Sequence, residues 1–326
     1  MTDRAARPGG TPAATADAEA VAPGGGSSAE SALGMGVATG TERVGSLWHD
    51  AWRELRRNPI FLVSCVLLLV FLTMAVVPQL YAFGDPYALD ACQLSNSLGR
   101  PSAQHWFGYN FQGCDLWNRT VYGARASISV GVLVTLFSTV LGAAVGAFAG
   151  FYGRWLDALL SRVVDIFFAI PLLLGAIVFL TVVKLPGIWG VVTGLTLLGW
   201  TSAARIMRST VISTRTADYV MAARALGAGD LRLLRRHILP NAMAPVIVVA
   251  TINLGIIIAV EATLSYLGVG LQPPTISWGI EISDAQQRVL QAPHVLLFPA
   301  MMLSLTVLSF ILLGDAVRDA LDPKLR

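Results

Sequence analysis

Two lysines settle the first question of chemistry. A phosphate-cradling loop requires Gly-x-x-x-x-Gly-Lys-Ser/Thr, but Lys184 follows Val183 and Lys324 follows Pro323. The Gly-rich run at Gly24 contains no lysine, so no P-loop can be built. The three cysteines show no Cys-x-x-Cys spacing of the kind that holds a metal or a redox dithiol. No apolar segment contains the Gly-x-Ser that an intramembrane Ser/His site would need. What remains are isolated groups. Arg162 and Asp165 lie three apart on one helix face, either as a gate or latch or as a local ion pair easing insertion. Glu261 lies near the end of an apolar stretch, where an ionisable group is costly and often functional. It either lines a pathway between helices or pairs with a residue of a neighbouring subunit. Cys92 and Cys114 are either free thiols or a disulfide closing about 23 residues, worth roughly 3 kcal/mol by chain entropy.

The elements that position these groups follow from composition. Of 326 residues, 55% are hydrophobic and only 13% charged, against about 25% in an ordinary soluble domain. With a mean hydropathy of +0.64, much of this chain must have the bilayer as its solvent. Six windows without Asp, Glu, Lys or Arg are long enough to cross the hydrocarbon as helices: Ile60–Val77, Ala126–Tyr152, Ile166–Val183, Leu185–Ala204, Ile238–Val260 and Val295–Gly314. Pro186-Gly187 suits a tight turn between the third and fourth. Pro171 and Pro299 fall inside spans, where neighbouring helices can satisfy the freed carbonyls.

Lys and Arg set the orientation. With both termini inside, the cytoplasmic side carries Arg43, Arg53, Arg56, Arg57, Arg154, Arg162, seven arginines between Arg205 and Arg236, Arg318, Lys324 and Arg326. The outer side carries only Arg100, Arg119, Arg125, Lys184 and Arg288, and the positive-inside rule selects this arrangement. The expected organisation is a disordered cytoplasmic tail over 1–44, too poor in large apolar groups to fold and without the apolar stretch of a signal peptide. A cytoplasmic segment and first span follow over 45–80, then an extracytoplasmic loop over 81–125. A five-helix core over 126–326 contains a basic cytoplasmic segment at 205–237. Trp106, Trp117, Trp189 and Trp278 fall on the outer side and suit an interfacial belt.

Within the basic segment, Ala-rich spacing predicts a short helix from Tyr219 to Leu226, ended by Gly227 in a left-handed conformation. A second helix is expected from Asp230, capped by that side chain, with Leu231, Leu234 and Ile238 on one face. Helix, glycine bend and helix make an elbow whose apolar face needs a partner.

This elbow resembles the coupling loop of bacterial ATP-binding-cassette importer permeases, in which Glu-Ala-Ala is followed after three residues by Gly and after nine more by Ile-x-Leu-Pro. Ala222, Ala223, Gly227, Leu239 and Pro240 match, while Met221 stands for the Glu and His237 for the Ile. His237-Ile238-Leu239-Pro240-Asn241 is similar to the peptide and nickel branch of the family. So are Arg57-Asn58-Pro59, Asp85-Pro86, His105-x-Phe107-Gly108 and Tyr122-Gly123-Ala124-Arg125-x-Ser127. The stretches Leu264–Gly279 and Leu313–Pro323 resemble the "C"-type subunit of dipeptide and oligopeptide importers.

The resemblance implies an all-α type I importer permease fold with six membrane helices, in a bacterial cytoplasmic membrane. It implies that Ala222, Ala223, Arg224, Gly227, Ala228, Asp230, Leu239 and Pro240 couple this chain to an ATPase. The chain itself would be no enzyme. ATP and Mg would be bound by two separate ATPase subunits or domains, alongside a second permease subunit and an extracytoplasmic substrate-binding protein. Di- or oligopeptides are the expected cargo, nickel chelates or glutathione the alternatives. A secondary transporter is the rival class, but it would carry an internal repeat and couple through intramembrane carboxylates, and no motif recurs.

Overall fold

The computed structural model describes Trp52, Arg53 and residues 55–321. The tail expected over 1–44 lies outside the described residues, as do Arg43, Lys324 and Arg326. Helix α1 spans Pro59–Val76, started by Pro59 in the first turn and by Asn58, whose Oδ1 accepts from the amides of Ile60 and Phe61 at 2.9 and 3.4 Å. Helix α2 spans Leu116–Tyr152, with Asp115 accepting from the Asn118 amide at 2.9 Å. Its 37 residues begin well before the expected Ala126, because Asp115 caps the helix outside the apolar window. Helices α3 (Arg154–Phe168) and α4 (Leu172–Val183) follow, then α5 (Gly187–Thr214, locally interrupted at Trp200), α6 (Asp218–Ala225), α7 (Asp230–Tyr266), α8 (Trp278–Ala285) and α9 (Pro293–Leu321). Among the described residues no β-strand forms beyond two isolated bridges.

Five of these helices (α1, α2, α5, α7 and α9) are each long and apolar enough to cross a membrane, and the pair α3–α4 makes a sixth crossing only as a bent unit. The expected continuous span Ile166–Val183 is therefore corrected: the chain turns by 83° between α3 and α4. Pro171 lacks an amide hydrogen and its ring crowds the preceding turn, so a helix stops before it. Pro299, by contrast, sits inside α9 without ending it.

Close packing around α2 organises the bundle. Gly142, Gly146 and Gly150 form one stripe against α5, where an added Cβ would lie 2.3 Å from Trp200 O, 2.3 Å from Ala204 O and 2.8 Å from Arg208 O. Such a small-residue seam lets two backbones approach in a medium that offers no hydrophobic drive for association. Val130, Val134, Leu195, Ile257 and Leu264 fill the core between α2, α5 and α7. Helix α1 lies at the side against α2 and α9, through Leu68, Phe71, Val121, Ile128 and Phe310.

The loop from 77 to 115 folds against the outer ends. Sγ atoms of Cys92 and Cys114 are bonded at 2.06 Å, Trp117 donates to Tyr81 O at 2.7 Å, and Phe107 stacks on Phe298 at 4.0 Å. Trp278 is not an interfacial residue as expected: it is fully buried and its indole donates to Thr120 O at 2.8 Å. Trp106 and Trp189 are exposed.

Candidate functional site

The elbow at 218–240 is built from local chemistry. Helix α6 ends in paired reverse bonds, Ala228 N to Ala223 O at 3.1 Å and Gly227 N to Arg224 O at 3.0 Å. Gly227 takes a φ of +84°, the left-handed cap that this bonding pattern requires. The observed helix is Asp218–Ala225, one residue earlier than expected at each end. Asp230 does not cap α7; Gly229 occupies that position, and the Asp230 carboxylate sits in the first turn, where the helix dipole favours it. The inward face also differs from expectation. Residues Leu233–Ile238 are wound as a π-helix, and Leu233, Leu234 and Ile238 are buried while Leu231 is 67% exposed.

The base of the elbow is locked into the bundle. Val220, Leu233, Leu234 and Ile238 pack with Ala147, Phe151, Met207 and Val211, which belong to the cytoplasmic ends of α2 and α5. Tyr219 Oη accepts from Asn241 Nδ2 at 3.1 Å, tying α6 to α7. Arg215 reaches from the end of α5 to the carbonyls of Gly150 and Phe151 at the end of α2. The tip is uncovered: Met221, Ala222, Arg224, Gly227, Asp230 and Pro240 are exposed, Leu226 is 90% exposed, and Ala223, Ala228 and Leu239 are half-buried at the base.

Helix α3 is clamped against α5 by two ion pairs. Asp157 receives Arg208 through Nε at 2.5 Å and Nη2 at 2.8 Å, and Asp165 receives Arg205 at 2.8 Å, with the Arg205 guanidinium over the Phe168 ring at 3.7 Å. Asp165 thus pairs across helices, not with Arg162 on its own face. Arg162 is exposed and makes no ion pair among the described residues.

Glu261 is fully buried within the described chain. Its Oε1 accepts from Ser265 at 2.8 Å, and the hydroxyls of Ser127 and Ser277 flank it. Each of these serines also accepts a backbone amide, from Leu271, Trp278 and Ile280 respectively for Ser265, Ser127 and Ser277. The cluster joins α2, α7 and the start of α8.

A second buried acid gave no sequence signal. Glu281 on α8 receives Arg119 of α2 at 2.6 and 2.7 Å, with side chains 1% and 13% exposed. Burial pushes the nearby Asp284 carboxyl above its ordinary range, the Glu281 charge adds to this, and Arg119 opposes it. Among the described residues no cluster of His, Cys, Asp and Glu could hold a metal ion.

The fold and the elbow can be set beside known proteins. The family model for the binding-protein-dependent transport system inner membrane component matches residues 142–326, and that for the N-terminal TM domain of oligopeptide transport permease C matches 46–101. The dipeptide transport system permease protein DppC of Alkalihalophilus pseudofirmus is 38% identical over 286 residues, 86% of this chain and 91% of the relative. The oligopeptide transport system permease protein OppC of Bacillus subtilis is 37% identical, covering 86% and 91%. The glutathione transport system permease protein GsiD of Escherichia coli O6:K15:H31 is 35% identical, covering 87% and 93%. Two inward-facing structures of the MetNI methionine ABC transporter share the fold, with TM-scores of 0.53 and 0.51 at 21% and 22% identity, over 62% of this chain and 96% and 95% of theirs. The chain belongs to the binding-protein-dependent transport system inner membrane components and is a multi-pass permease subunit of an ATP-binding-cassette importer of the bacterial plasma membrane.

Proposed function

We propose that this permease carries di- or oligopeptides into the cytoplasm, driven by ATP that separate subunits bind with Mg and hydrolyse. One observation carries the coupling: a rigid helix–glycine–helix elbow whose base is packed into α2 and α5 while its tip is left bare. A tip bearing Met221, Leu226 and Leu231 exposes apolar surface that water disfavours and a protein groove would cover. Arg224, Arg232, Arg235 and Arg236 rim it and suit an acidic groove margin. Because the tip is neutral where the family has Glu, contact there depends on burial of Met221 more than on a charge pair.

A force on the tip would pass through Val220, Leu233 and Ile238 to the α2–α5 seam, and through Arg208 and Arg205 to α3. This is the physical basis for rocking one part of the bundle against another. The full unit would hold a second permease, two ATPase subunits and an extracytoplasmic binding protein facing the disulfide-closed loop. The peptide reading is supported by the names of the DppC and OppC relatives. A glutathione importer is the second reading, supported by the GsiD relative at 35% identity. Co-purification tests the coupling: the ATPase subunits should remain with the wild-type permease and be lost with Leu226→Asp. Retention at wild-type stoichiometry would remove the elbow from this role.

A further inference from the structure

Between α3 and α4 the backbone leaves helical geometry at residues 169–171 and the chain turns by 83°. Helix α4 starts with Pro171 at its N-cap and no side chain to receive its first amides, so the N–H groups of Leu172, Leu173 and Leu174 have no helical acceptor. Irregular backbone persists at this depth only where it is buried in protein or lines a wet cavity. Here it lines one of about 260 Å³, walled by Pro171 and Leu172 from the bend, Ser138 from α2, Thr201 and Ser202 from α5, and Asn253 from α7.

Three of these side chains have no partner. The carboxamide of Asn253 and the hydroxyls of Thr201 and Ser202 make no hydrogen bond to any described residue, although Thr201 is only 4% exposed. Asn253 lies well inside α7, and Thr201 and Ser202 directly follow the interruption of α5 at Trp200, near its midpoint. Polar groups at such positions are expensive in a bilayer and mark pathways when they persist.

The lining selects the ligand class. It contains no Asp, Glu, Lys, Arg or His, so it offers no counter-charge to a metal chelate or an ionised side chain. A carboxamide presents a donor and an acceptor together, the same pair that a peptide unit presents in complement. The α4 amides add donors, and the apolar remainder of the wall accommodates varied side chains. We propose that this cavity holds the backbone of the permeating peptide in transit, through Asn253 with Thr201 and Ser202, irrespective of the peptide's sequence. This rests on the peptide-importer reading above.

The complete importer, with its binding protein, reconstituted in proteoliposomes and supplied with radiolabelled trialanine, tests it. Asn253→Leu is expected to lower the maximal uptake rate about tenfold, the equivalent of one buried hydrogen-bonding group. The half-saturating peptide concentration, set by the binding protein, should not move, and Asn253→Gln should recover part of the rate. Ser202→Ala removes one oxygen without disturbing the packing and should lower the rate about threefold. Each variant is compared at equal recovery of assembled complex. Wild-type uptake by both Asn253→Leu and Ser202→Ala would overturn the site while leaving the peptide reading intact. A wild-type importer that takes up no trialanine would overturn the reading, and the site with it.

Discussion

The guanidinium of Arg215 donates to the carbonyl of Gly150 at 3.0 Å, joining the last turn of α5 to the last turn of α2 immediately before the elbow begins. The same nitrogen reaches Phe151 O at 3.2 Å. One side chain therefore satisfies carbonyls that the end of a helix leaves open and fixes the stem of the elbow to the bundle.

Arg215→Met should loosen that stem. Hydrogen bonds to a charged group are worth about 1.5–3 kcal/mol, so the ratio of peptide imported to ATP hydrolysed is expected to fall roughly tenfold. Arg215→Lys keeps the charge but not the planar fork and should fall between. A Met variant with wild-type coupling would show that the stem is held by packing alone.

Two glycines should respond to very different degrees when a side chain is added. Gly146→Val places its Cβ against the backbone of Ala204, where nothing can yield without parting α2 from α5, and a loss of about 3 kcal/mol or more is expected. Gly227→Ala meets nothing within 4 Å and loses only about 1 kcal/mol to its positive φ. Unfolding in detergent, followed by helical circular dichroism, ranks the two.

The buried pair of Arg119 and Glu281 predicts a non-additive series. Removing one partner leaves the other charge buried, so Glu281→Leu and Arg119→Met should each cost about 3–5 kcal/mol. The double variant should recover most of that loss. A double variant as unstable as the sum of the singles would show that the charges do not act on each other.

Asp284 sets a pH dependence. Its carboxyl titrates above its usual range in the folded chain, so the folded form holds a proton that the unfolded form has released. Stability from this group is therefore greatest below the ordinary Asp range and declines as pH rises towards the raised folded value. Asp284→Asn should raise the melting temperature at neutral pH and have less effect in acid. An Asn variant that melts lower than wild type at pH 7 would reverse the sign and contradict this.

Much of the elbow was legible because its determinants are local. Gly227 ends α6 by its own conformational freedom, and the Ala-rich run before it needs no distant partner to be helical. The buried face of α7 differs from the one the spacing predicts because the π-helical turn at Leu233–Ile238 shifts it, and Leu233, Leu234 and Ile238 pack in one cluster with the distant Met207 and Val211. Pro171 and Pro299 look alike in sequence; what separates them is α3, whose Asp157 and Asp165 are drawn to Arg208 and Arg205 and cannot follow α4 into hydrocarbon. The Gly142–Gly146–Gly150 repeat announces close approach, but not that α5 is the partner. Arg119 and Glu281 are 162 residues apart, with nothing local to connect them. Glu261 stands out in the sequence as an acid near the end of an apolar stretch, but its burial among Ser127, Ser265 and Ser277 depends on three separate parts of the chain.

The most direct measurement is uptake of radiolabelled trialanine, supplied with the binding protein, into proteoliposomes holding this permease, with its partner permease and ATPase subunits either present or left out. The expected result is uptake that requires both ATP and the ATPase subunits and is lost with Leu226→Asp at the elbow tip. Uptake by this chain alone, driven by a proton gradient and indifferent to ATP, would contradict it.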